Sequence, residues 1–253
     1  MTPQALPANA PAATRPTPPA SRRTVDAPIR MFHALFALSF VGAYLSGDSE
    51  RWRALHVTLG YTLLGLLALR IVYGLVGPRP ARLSALWRKL AGWPAWLRSL
   101  FSQSAGPAGA NWRQGQNLLM ALAVALLMAL VLPTGLSGLA TYQEWGAGLG
   151  DEWLAELHAF FSNLLLAVVL AHLALIAGLS LLRRKNQALP MLTGRSEGKG
   201  PDLVQHNRAW LAALLLLAVL GWGAWQWQQS PDGLLPGAGT STGAKQHRSG
   251  DDD

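Results

Sequence analysis

From Leu157 to Leu182 the chain reads LHAFFSNLLLAVVLAHLALIAGLSLL, with no Asp, Glu, Lys or Arg and with two histidines, His158 and His172, inside the run. A bilayer's hydrocarbon core is roughly 30 Å thick and is crossed by about 20 apolar residues in a helix. Only a helix or a closed barrel satisfies its backbone there without water, so an apolar run of this length folds as a spanning helix. The two histidines are fourteen residues apart, close to four full turns. Both imidazoles therefore project from nearly the same face, about 21 Å apart along the axis. One falls towards each side of the bilayer. Ionisable side chains at such depth are costly, and they mark functional sites.

Four more apolar stretches, about 29–47, 53–76, 117–140 and 208–228, join the one at 153–182 to predict five spans and an all-α, polytopic helix bundle. The chain is 51% hydrophobic and only 13% charged, which leaves no soluble domain of useful size. The segment before the first span carries Arg15, Arg22, Arg23 and Arg30 against Asp26 alone. The 77–116 connection holds Arg79, Arg82, Arg88, Lys89, Arg98 and Arg113 with no acid, and the 183–208 connection is also basic. By contrast, the 141–153 connection has Glu144, Asp151 and Glu152 and no base. The positive-inside rule then predicts a cytoplasmic N-terminus and a C-terminal tail outside. The net charge of +8 follows from this topology, and nothing in it points to nucleic acid. Residues 1–26 lack an apolar core and read as a disordered cytoplasmic tail, not a signal peptide; residues 230–253 read as a second disordered tail. Trp52, Trp112, Trp145, Trp153 and Trp210 suit an aromatic belt.

This topology assigns each membrane histidine a depth. His33 opens the first span on the cytoplasmic side, and His56 opens the second on the outer side. His158 lies outside and His172 inside, so depth pairs His56 with His158 and His33 with His172. Two stacked bis-histidine sites are the arrangement expected for two b-type haems. Cysteine is absent, which excludes iron–sulfur clusters, thiolate zinc and the CxxCH attachment of c-type haem, so any haem is held non-covalently. Arg70, fourteen residues after His56, and Arg30 are propionate partners for the inner site; Arg51 and Arg53 are partners for the outer one. Gly60 and Gly74 share the His56 stripe, where a missing side chain admits a flat macrocycle. Each of these residues also has a plain structural use: interhelical hydrogen bonds, interface charge or helix packing. His206 and His247 have no partner and read as solvated. Two other functions compete. A histidine-lined metal or proton transporter would want intramembrane carboxylates, and only Glu156 is near; in a non-redox membrane scaffold the histidines merely bond between helices.

The stretch that opens PIRMFH, with Arg30 and His33, and continues to HVTLGY, with His56, resembles the prokaryotic cytochrome b561 family, which includes the b-type cytochrome subunits of nickel–iron hydrogenases. His158 and His172 match that family's paired histidines, and MLTGR at 191–195 resembles a cytoplasmic stretch following them. The resemblance spans roughly residues 27–200, leaving 201–229 as an added fifth transmembrane helix. It implies a di-haem cytochrome b of the bacterial inner (plasma) membrane with two non-covalent haems b. It further implies transmembrane electron transfer in a respiratory chain, with quinone and a c-type cytochrome or other redox subunit as partners and membrane lipid around it. Quinone oxidoreductase activity, or a place in a hydrogenase-like complex, would follow from the same resemblance.

Overall fold

The computed structural model describes residues 20–101, 112–145, 152–230 and 234–235. In chain order the elements are β1 (Ser21–Arg23), α1 (Ala27–Ser46), α2 (Arg53–Val76), α3 (Leu83–Leu90), α4 (Trp93–Phe101), α5 (Trp112–Tyr142), α6 (Glu152–Arg183), α7 (Leu189–Thr193), β2 (Arg195–Glu197) and α8 (Ala209–Gln229). Among the described residues five helices are long and apolar enough to cross a membrane, and these are the five expected spans. The protein is an all-α, polytopic helix bundle.

Local chemistry sets the helix ends. The Asp26 carboxylate accepts from the Ile29 N–H at 3.3 Å and caps α1, with Pro28 in the first turn where no N–H is needed. α5 begins at Trp112, before the apolar run at 117. Its polar first turn is anchored: Trp96 of α4 packs on Gly115, and Gln116 Oε1 accepts from Arg183 Nε at 2.9 Å and Nη2 at 2.5 Å. Pro133 lies inside α5. There the Thr134 and Ser137 hydroxyls donate back to the carbonyls of Leu130 and Pro133, which keeps these polar groups satisfied within the span.

α5 and α6 form the most extensive antiparallel pair, α1 packs along α2, α2 touches α5, and α8 leans on α1. Ala43, Leu63, Leu67, Val131 and Leu165 make one core between α1, α2, α5 and α6. A second core, Phe32, Leu35, Leu66 and Leu215, holds α8 against α1 and α2. Residues 20–26, α3, α4, α7 and the start of α8 gather at one end of the bundle, here the basic end; the 141–153 connection marks the acidic end.

At the basic end the expectation of a disordered tail over 1–26 needs correction. β1 pairs antiparallel with β2, Ser21 opposite Glu197, and the Thr24 and Val25 N–H groups donate to the Gly194 carbonyl at 2.9 and 3.2 Å. Gly194, at φ 77°, supplies the left-handed turn between α7 and β2. Residues 1–19 lie outside the described residues, as does all of 231–253 except Leu234 and Leu235. The stretch 201–208 is not helical; α8 starts only at Ala209.

Asp26 is only 1% exposed. Besides capping α1 it accepts a short hydrogen bond from the Tyr73 hydroxyl of α2 and faces Arg208 Nη1, at the head of α8, at 3.8 Å. One carboxylate thus joins three spans. Tyr73→Phe removes a donor from this buried acceptor and is expected to cost about 1–3 kcal/mol. Asp26→Ala, which strips the cap, the Tyr73 bond and the Arg208 partner together, should cost more. Denaturation of the purified protein in detergent measures both, and the ranking fails if Asp26→Ala is the milder change.

Candidate functional site

Towards the acidic end, His56 of α2 and His158 of α6 face each other with ring centroids 6.0 Å apart and ring planes at 89°. The His56 Nδ1–H donates to the Ala43 carbonyl at 2.8 Å, and the His158 Nδ1–H donates to the Thr134 carbonyl at 2.9 Å. A carbonyl can only accept, so each Nδ1 carries the proton and each neutral ring keeps its lone pair on Nε2. Both rings are in the tautomer that a metal bound through Nε2 requires, and both are braced from behind. The acceptors have a local origin. Ala43 lies in the last turn of α1, where carbonyls lack helical partners. Thr134 is approachable because Gly138, one turn on, has no side chain: a Cβ there would sit 2.8 Å from His158 Cε1.

A cavity of about 530 Å³ touches both rings and is also lined by Gly60, Gly135, Tyr44, Tyr142 and Asn163. This is within the range of pockets that hold cofactor-sized molecules. A Cβ on Gly60 would meet nothing within 4 Å, so that wall is open to a flat ligand. Among the described residues no group of three or more His, Cys, Asp or Glu is placed to hold a metal ion. Two imidazoles can supply axial bonds alone, and a metal held by them needs its remaining donors from a ligand such as a macrocycle.

The basic end repeats part of this arrangement, although neither His33 nor His172 lines the cavity there. A second cavity, of about 1190 Å³, is lined by Ile29 of α1, Arg70 of α2, and Asn117, Met120, Ala121 and Val124 of α5. Each corresponds, fourteen residues along its own helix, to a wall residue of the first cavity: Ala43, His56, Val131, Thr134, Gly135 and Gly138. His172 bears the same relation to His158 on α6. α5 and α6 meet at Gly138 with His158 and again at Gln116 with Arg183, which puts His172 level with Val124. His33, one turn beyond Ile29, is within electrostatic reach of His172. The buried His172 Nδ1 has no hydrogen-bond partner among the described residues. His158 and His172 lie about 21 Å apart along α6. His158 faces His56 of α2, and His172 lies within electrostatic reach of His33 of α1.

The remaining sequence candidates divide. Arg70 lines the second cavity; its Nη2 donates to the Ala81 carbonyl at 3.2 Å, and its buried Nη1 is unpartnered among the described residues. Arg30 Nη2 donates to the Leu192 carbonyl at 2.6 Å and serves the α7 turn. Arg53 pairs with Glu50 at 3.3 Å on the exposed surface, and neither it nor Arg51 lines the first cavity. Gly74 is filled by packing, since its Cβ would meet Leu83 at 2.6 Å; it seats α3 against α2. Glu156 and His206 are exposed, and His247 lies outside the described residues. Sequence reasoning missed the bracing carbonyls of Ala43 and Thr134, because a backbone acceptor has no residue signature. Gly138 was the one readable trace.

A family model described as prokaryotic cytochrome b561 matches residues 24–194, and the chain belongs to that family. No curated protein and no solved structure matches it. The chain is accordingly a bacterial membrane protein that binds haem b and transfers electrons. The donor set fits that group: two neutral imidazoles with free Nε2 atoms, a glycine-walled cavity, and no thiolate or carboxylate cage. Gly138→Ala is expected to push the His158 ring off the Thr134 carbonyl and lower the haem content of the purified protein. Gly47→Ala, whose Cβ would meet His56 at an ordinary 3.5 Å, should leave it unchanged. A pyridine haemochrome assay of both variants checks the contrast, and equal haem contents would refute this account of the glycine.

Proposed function

We propose that this cytochrome holds two haems b per chain, on His56 with His158 and on His33 with His172, and carries electrons across the bacterial inner membrane. The observation that supports the proposal is the facing His56–His158 pair, together with the fourteen-residue register that sets His172 on the same face of α6, within electrostatic reach of His33. The basic end is cytoplasmic in this reading, because Arg79, Arg82, Arg88, Lys89 and Arg113 all lie there. Electrons pass between a periplasmic or membrane redox partner, such as a c-type cytochrome, and the quinone pool.

Haem b supplies a one-electron iron couple. The histidines do the rest of the work. Two imidazoles, from His56 and His158 or from His33 and His172, would hold each group and would leave no place for oxygen, which would favour outer-sphere transfer. Bracing by the Ala43 and Thr134 carbonyls fixes the ring orientations, so little reorganisation accompanies a change of charge. The apolar walls, Leu63, Val131 and Leu165 among them, keep water from the rings. Arg70, whose Nη1 is buried and unpartnered among the described residues, would be the cation for a propionate of the inner haem.

Ligand replacement tests the pairing. His56→Ala and His158→Ala are each expected to halve the haem content and to remove the same component of a redox titration. His33→Ala and His172→Ala should halve it by removing the other component, while His206→Ala should leave both. Loss of one and the same component in His33→Ala and His56→Ala would refute the pairing, and a wild-type protein with a single haem per chain would refute the two-site reading.

A further inference from the structure

The two cavities share a register but not a charge. No Lys or Arg lines the first, although it has a complete histidine pair. The second is rimmed by Arg79, Arg82, Arg88, Lys89 and Arg113, with Arg70 deeper inside and Asp26 as its one carboxylate. None of these six cations is in an ion pair among the described residues. Asp26 is engaged elsewhere, with Tyr73 and Arg208. A histidine pair therefore does not by itself call for such a rim. Five exposed cations converging on one opening repel each other unless an anion sits among them.

The rest of the wall identifies that anion's body. Behind the cations the cavity is largely apolar, with Leu86 of α3, Leu118 and Val124 of α5, and Val204 before α8. Its volume is about 1190 Å³, against about 530 Å³ for the first. A small inorganic anion would match the rim and waste the apolar wall. An uncharged quinone would match the wall and leave the cations unanswered. We propose that this cavity is a binding site for the phosphate headgroup of an anionic phospholipid, held at the phosphodiester by the rim cations, with acyl chain lying between α3 and α5. Basic pockets between spans on the cytoplasmic side suit such headgroups. The choice of leaflet rests on the orientation proposed above; the site itself does not.

The test uses the haem-loaded full chain in a neutral detergent, titrated with phosphatidylglycerol, phosphatidylcholine or inorganic phosphate and read by native mass spectrometry. Phosphatidylglycerol should bind at one per chain and at least tenfold more tightly than phosphatidylcholine, and millimolar inorganic phosphate should not displace it. The double variant Arg88→Gln/Lys89→Gln, on the exposed face of α3, should weaken phosphatidylglycerol roughly 10- to 30-fold. Arg98→Gln/Lys199→Gln, which removes the same charge away from the cavity, should change it less than twofold. Haem content and spectrum are recorded on the same samples. A loss of haem would count against the functional reading, whereas intact haem with no lipid preference would overturn this site alone. Equal binding of the two lipids, displacement by free phosphate, or equal weakening in both double variants would each overturn the proposal.

Discussion

A polar group inside a membrane has no water to turn to, and the whole bundle is arranged around that constraint. An imidazole has two ring nitrogens, and in hydrocarbon each needs a partner. At the His56–His158 pair, one nitrogen of each ring is answered by the protein: a carbonyl from the end of α1 and another from α5. The other nitrogen is left for a metal. Turning either ring would break its bond to the carbonyl, although the Ser137 hydroxyl also lies 3.4 Å from the His158 Nδ1. Gly138, the Ser46 and Thr134 hydroxyls that bond back to their own helices, and the ending of α1 at Gly47 all serve this condition.

The second constraint is the helix repeat. Fourteen residues complete nearly four turns, so a helix can present the same face at two depths without bending. One helix doing so is unremarkable chemistry. Three helices, α1, α2 and α5, do so in step, and residues fourteen apart on each of them line two cavities. The repeat carries geometry but not residue identity. Where α2 offers His56 at one level it offers Arg70 at the other, and α1 offers Gly47 and then His33. The histidines therefore fall on different helices at the two levels, and the two cavities differ in charge: cations line one, and no Lys or Arg lines the other.

These facts explain which parts of the molecule could be read in advance. Spans were legible because hydropathy in a bilayer is a one-dimensional property, and the depths of the four histidines followed from span direction. The connection at 77–116 was read by its charge alone. Its period was overlooked, although Leu83, Leu86, Trp87 and Leu90 alternate with Arg88 and Lys89 as an amphipathic helix requires. The pairing of Ser21–Arg23 with Arg195–Glu197 had no local signal at all: three-residue strands far apart in sequence are defined only by each other. Asp26 read as a lone acid among arginines, and Arg53 as a site cation. Reach decided both. Asp26 sits where α1, α2 and α8 converge, whereas Arg53 is only three residues from Glu50 and is taken by it.

The fifth span shows how an addition is fastened to such a core. α8 lies beyond the residues that match the family, 24–194. In lipid an apolar helix gains nothing by leaving the acyl chains for another apolar surface, so packing alone is a weak fastener. α8 does pack, through Leu215 against Phe32, Leu35 and Leu66, and through Trp222 edge-on to Tyr61 at 6.3 Å. Its position, however, is set at its head. Arg208 adopts a left-handed conformation, the Asn207 carbonyl accepts from the Ala27 N–H at 3.1 Å, and the Arg208 guanidinium turns to Asp26. Since Asp26 also caps α1 and binds Tyr73, the added helix is tied to the residue that fixes the start of the His33 helix. Movement of α8 at that end would reach α1 through one carboxylate. The fifth span thereby helps to fix the start of α1, although it supplies no wall of either cavity.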